Sequence, residues 1–108
     1  MTPRIVAFVD DLMDRSRLGS LGTVVWASAA EAAVGAEIVI VDVVRHGAAI
    51  GAIRALVPGA HVVAYGPHVD EAALATARAA GADLALARSR FFADPAAALA
   101  RGGGRART

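Results

Sequence analysis

Three aspartates stand where short apolar runs stop. Val9-Asp10-Asp11 closes the run that begins at Ile5, and Asp42 closes Ile38-Val39-Ile40-Val41. Short β-branched runs of this kind read as buried strands, and in open parallel sheets ligands gather beyond the carboxyl ends of the strands. If the two strands are neighbours, those ends lie roughly 5 Å apart. Carboxylates that close repel one another, and each raises its neighbours' pKa unless a cation intervenes. The natural neutraliser is a hard divalent ion such as Mg2+, held by Asp10, Asp11 and Asp42, or an arginine. Arg45 follows Asp42 closely and is a candidate internal counter-ion. The same acids also admit a structural reading, in which Asp10 or Asp11 caps the first helix and Asp42 closes a turn.

Other chemistry finds little support. His46, His61 and His68 lack metal-ligand spacing; His61 opens a strand and reads as structural, while His68 sits on a loop near the proposed site. Ser16 and Ser20 have no histidine at a readable spacing, so nucleophilic catalysis is not expected and the chain reads as a non-enzyme. The glycines form neither a dinucleotide fingerprint nor a P-loop. The absence of cysteine excludes disulfides and thiolate metal sites. Residues 1–100 carry eight Arg and no Lys against ten Asp and Glu, and the basic surplus comes from Arg101, Arg105 and Arg107. That is no basic stripe with stacking aromatics, so no specific nucleic-acid partner is expected. No apolar run approaches the ~20 residues of a membrane span, and no export signal is visible, which makes the cytoplasm the expected compartment.

The elements that must position the acids follow from alternating patterns. Apolar residues make up 56% of the 108, enough for one buried core and too short a chain for two. Strands are expected at Ile5–Val9, Thr23–Ala27, Glu37–Asp42, His61–Tyr65 and Asp83–Ala87. Helices are expected at Leu12–Leu21, from a Ser28 cap to Val34 with Glu31 completing a capping box, at Ala48–Val57, from an Asp70 cap to Ala80, and over 95–101. Asp94-Pro95 supplies the cap and the first helical proline of the last one. Strict alternation of five strands and five helices predicts a three-layer α/β/α sandwich with a parallel sheet. Residues 1–101 form one expected domain, and 102–108 an expected flexible Arg/Gly tail.

Val9-Asp10-Asp11, Ile38 to Asp42, Gly66-Pro67-His68-Val69-Asp70 and Ala80-Gly81-Ala82-Asp83 to Arg88-Ser89 together resemble the receiver domain of two-component response regulators. The similarity runs over about residues 4–100, and the stretch Gly66 through Arg88 matches without a gap. The resemblance implies a flavodoxin-like sheet with strand order 2-1-3-4-5. It implies Mg2+ on Asp10 and Asp11, Asp42 as phosphoacceptor, and Arg88 as the phosphate- or anion-binding cation at the usual lysine position. Departures are equally specific. The usual hydroxyl position is Gly66, and the next is Pro67, which has no backbone N–H. Arg88 is a planar fork rather than an ammonium. Ala85 stands at the usual aromatic switch position, and the interval from Asp11 to Asp42 is short, which shrinks the second helix.

These departures favour a receiver-like signalling module without normal phosphorylation switching, working through protein–protein contacts. The expected partner is a kinase, regulator or transcription factor, or a second copy meeting the face of the fourth helix, fifth strand and fifth helix. Phe91 and Phe92 are candidate anchors there, although an aromatic beside a short helix also suits the core. Two alternatives stand beside this reading: a working Mg2+-dependent phosphoacceptor on Asp42, and a small-ligand binder using the Tyr65-Gly66-Pro67 loop.

Overall fold

In a computed structural model, which describes residues 3–100, five short strands make one parallel sheet in the order β2-β1-β3-β4-β5. They are β1 (Ile5–Phe8), β2 (Val24–Trp26), β3 (Ile38–Asp42), β4 (His61–Gly66) and β5 (Leu84–Ala87). Among the described residues six α-helices accompany them: α1 (Leu12–Gly19), α2 (Val43–His46), α3 (Ile50–Leu56), α4 (Glu71–Ala80), α5 (Arg88–Ala93) and α6 (Pro95–Leu99). The expected sandwich and strand order are those observed. The expected tail at 102–108 lies outside the described residues.

Alternate side chains along each strand divide between the two faces of the sheet, as the two-residue strand period requires. Val6, Phe8, Val39, Val41, Val62 and Ala64 pack with Ile50 and Ile53 of α3 and Leu74 and Ala77 of α4. Ile5, Ala7, Ile38, Ile40, Val63 and Tyr65 pack with Leu18 of α1, Phe91 of α5, and Ala98 and Leu99 of α6. Both faces are covered, which is why the strands read as continuous apolar runs. Leu56, at the end of α3, is exposed. No helix among the described residues is long and apolar enough to cross a membrane.

The connections differ from expectation where they are short. The segment after β2 makes only a 3-10 turn at Ala30–Ala33, with no side-chain cap, so the Ser28–Glu31 capping box does not form. The interval between Trp26 and Ile38 leaves room for one turn. α2 begins on the residue after Asp42, where a loop was expected, and α5 begins on the residue after Ala87. Asp70 and Asp94 cap α4 and α6 by accepting from the Ala73 and Ala97 amides, as their positions predict.

The opposite end of the sheet is clamped. Arg54 donates to the carbonyls of Gly81, Pro58 and Ala60 at 2.9 Å each, and to Asp83 Oδ2 at 2.7 Å. Gly81 ends α4 at φ +127, and a Cβ there would lie 2.8 Å from the Arg54 stem. Buried His61 donates from Nε2 to the Ala98 carbonyl at 3.0 Å, which ties α6 to β4.

Candidate functional site

Parallel register brings the strand ends to one level. Phe8 pairs with Val41 and Asp42 with Tyr65, so the residues that follow β1, β3 and β4 leave the sheet side by side. They border a cavity of about 290 Å3 whose charged lining is Asp10, Asp11, Asp14, Asp42, Arg45 and Arg88. The three aspartates singled out in the sequence are therefore together.

Each of them is also engaged. Asp11 is the N-cap of α1 and accepts from the Met13 and Asp14 amides at 2.9 and 3.0 Å. Asp42 is the N-cap of α2 and accepts from the Val44 amide at 3.0 Å. Asp10 Oδ1 lies 3.1 Å from His46 Nε2. The capping reading thus describes Asp11 and Asp42, and the convergence reading describes where they sit. Among the described residues no three acid or histidine side chains are grouped as metal ligands. Asp10, Asp11 and Asp42, the expected Mg2+ set, form no such group as their side chains stand, and each has one carboxylate oxygen, Oδ1, on a protein partner.

The electrostatics separate the acids. The His46 hydrogen bond holds Asp10 below the ordinary carboxylate range, helped by the charges of His46, Arg45 and Arg15. Arg45, the candidate internal counter-ion of the cluster, acts on Asp10. Asp42 moves the other way: burial pushes its carboxyl up, the nearby Asp14 charge adds to this, and the Val44 amide opposes it.

The pattern reading missed Asp14, which is wholly buried. It sits one helical turn before buried Leu18, on the inward face of α1, and that stripe was the available signal. The Arg88 guanidinium reaches it with both terminal nitrogens, a fork-to-carboxylate pairing. The Tyr65 hydroxyl donates to the same carboxylate at 2.9 Å. Burial pushes Asp14 up, but the hydrogen bonds from Arg88 and Tyr65 outweigh it and leave the carboxyl below its ordinary value. Burial and the bond to Asp14 raise Tyr65, and the bond to Asp14 raises Arg88. Arg88, expected to receive an anion, lines the cavity with its fork directed at an internal one.

Aromatic packing holds this network. Tyr65 stacks on Phe91 with centroids 5.0 Å apart and planes 6° from parallel. Phe92 meets both edge-on, and Arg88 lies 5.0 Å over its ring. The expectation of Phe91 as a surface anchor is corrected: it is fully buried, because α5 starts at Arg88 and turns that side chain under the sheet. Phe92 is half-buried. His68 lies on the groove between α4 and β5, beside Arg78 and Arg90, and not on the acidic cavity.

At Gly66 the space a side chain would need is taken. A Cβ there would lie 2.4 Å from Val43 Cγ2, because α2 starts so early that Val43 folds over the end of β4.

Neither a family model nor a curated protein matches the sequence. Solved structures do. A response regulator protein from Burkholderia pseudomallei, with a phosphorylated aspartic acid, calcium ion and citrate, superposes at TM-score 0.76 and 20% identity, over 94% of this chain and 69% of that one. The BeF3-activated DrrB receiver domain gives 0.71 and 20%, over 94% and 100%. A response regulator receiver domain protein from Clostridium thermocellum gives 0.72 and 19%, over 91% of each. The chain has the fold of response-regulator receiver domains.

Proposed function

We propose that this chain is a single receiver-fold signalling module of the cytoplasm, non-enzymatic, acting through protein contacts without a phosphoryl-dependent switch. The observation that carries the reading is the pairing of Arg88 with buried Asp14. A phosphoryl group on Asp42 would add about −1.5 to −2 charges to a cavity already rich in carboxylates. Arg88 could turn to it only by loosening its two-nitrogen pairing with buried Asp14. Gly66 brings no hydroxyl, Val43 fills the space one would occupy, and Pro67 offers no amide. Each such charge-assisted hydrogen bond is worth about 1.5–3 kcal/mol, so their joint loss weakens the hold on a phosphoryl group severely. The Burkholderia and DrrB structures carry a phosphorylated aspartate with calcium and BeF3 respectively; in this chain the corresponding chemistry meets a cation already committed. The partner is a kinase, regulator or transcription factor, or a second copy of the chain.

Incubation with Mg2+ and either a small phosphodonor or beryllofluoride tests the reading. The expected result is no stoichiometric mass gain and no amide shifts centred on Asp42. A stoichiometric change that disappears in Asp42→Asn would overturn it and establish the phosphoacceptor alternative.

A further inference from the structure

Seven large apolar side chains are exposed among the described residues, and four of them stand at the same end of the sheet. Leu12 (78% exposed) and Met13 (69%) open α1, Val44 (65%) is on the first turn of α2, and Val69 (78%) follows β4. These segments are the ones that bring Asp11, Asp42 and Pro67 to the acidic cavity. Apolar side chains exposed singly are ordinary, but a cluster around one site marks a contact surface. The cavity inside the cluster is negative. Four aspartates line it against Arg45 and Arg88, and Arg88 is held by Asp14. Asp11 and Asp42 are held by backbone amides and by no ion pair among the described residues.

The geometry points to this rim as a docking site for a partner segment in which one lysine or arginine is flanked by apolar side chains. The inference rests on the protein-contact reading above and adds where the contact falls and what chemistry meets it. The basic side chain enters the cavity beside Asp11 and Asp42, and its apolar neighbours cover Leu12, Met13, Val44 and Val69. Charge complementarity selects this occupant. A second copy meeting the same rim would set aspartates against aspartates, and like charges across an interface are strongly disfavoured. The segment 102–108 has arginines but otherwise only Gly, Ala and Thr, which cannot cover the apolar collar.

A random dodecapeptide library displayed on phage, panned on the full chain with an excess of soluble Leu12→Ser/Met13→Ser/Val44→Ser variant as competitor, tests this. The expected result is enrichment of peptides with a lysine or arginine among apolar residues. A synthetic peptide from that set should bind the unaltered chain at least about tenfold more tightly than the triple variant. Reversing its basic residue to Glu should weaken binding by a similar factor, and amide shifts should fall at Asp11–Met13, Val44 and Val69. No enrichment, enriched peptides without a basic residue, or equal binding to the triple variant would each overturn the inference. If the triple variant proved unfolded, the charge-reversed peptide and the position of the shifts would still decide. Phosphorylation of Asp42 would sink the proposed function and leave this result untouched, so the two failures are distinguishable.

Discussion

Removing Arg88 should damage the fold more than removing the charge of Asp14, although the two side chains share one interaction. The difference comes from where each sits. Asp14 is fully buried, while the Arg88 side chain keeps 43% of its surface in water. In Arg88→Met the carboxylate stays inside with only the Tyr65 hydroxyl to serve it, and an uncompensated buried charge costs about 3–5 kcal/mol. In Asp14→Asn the amide still accepts from Tyr65 and the guanidinium turns to solvent, so the loss is about 1–2 kcal/mol. The double variant buries no charge, and it should be more stable than Arg88→Met alone. Urea unfolding at pH 7 measures all three. The pH dependence supplies a second check. In the intact chain the Asp14 carboxyl lies below its ordinary 3.8, so its contribution is full above that pH and is lost as pH falls through the folded value. In Arg88→Met burial acts with less opposition and drives the carboxyl upward, so the variant is penalised most at neutral pH and recovers on acidification. The gap between the two proteins should therefore narrow as pH falls toward 3.8. If Asp14→Asn proved as costly as Arg88→Met, or the gap widened in acid, Arg88 would not be neutralising a buried charge.

Gly66→Ser should destabilise the fold by about 1–3 kcal/mol, because its Cβ meets Val43 at 2.4 Å; adding Val43→Ala should restore most of it, as thermal melts of the single and double variants would show. Phe91→Ala should cost about 3–5 kcal/mol in denaturant unfolding, and half-buried Phe92→Ala clearly less. Asp42→Asn keeps a competent helix cap and removes a carboxyl raised chiefly by burial and further by Asp14. It should therefore raise the melting midpoint at pH 7, and the gain should vanish as pH falls to the ordinary carboxylate value.

Much of the architecture could be read from the chain because its signals are local. Val39 to Val41 is apolar without a break since both faces of β3 are covered, and Asp70, Gly81 and Asp94-Pro95 mark helix ends through their own backbone chemistry. Where connection length decides the outcome, the local signals mislead. Ser28 and Glu31 have the spacing of a capping box, but the connection is too short for the helix that would use it. α2 and α5 start directly off their strands with no turn residue to announce them, so the sequence leaves Phe91 open between surface and core and carries no sign that Val43 covers Gly66. The site was half legible. Acids at strand ends declare themselves by position, whereas the Asp14–Arg88 pairing joins residues 74 positions apart and depends on side-chain reach across the sheet.

The two outer strands of the sheet have only three and four residues, Val24–Trp26 and Leu84–Ala87. On the second, the Arg78 guanidinium already occupies the Ala85 carbonyl at 2.8 Å. An intruding chain would find few main-chain groups with which to extend the ladder. Fibre formation and strand exchange are thereby discouraged at both margins, and a partner of the kind proposed would be gripped by side chains rather than by added β-structure.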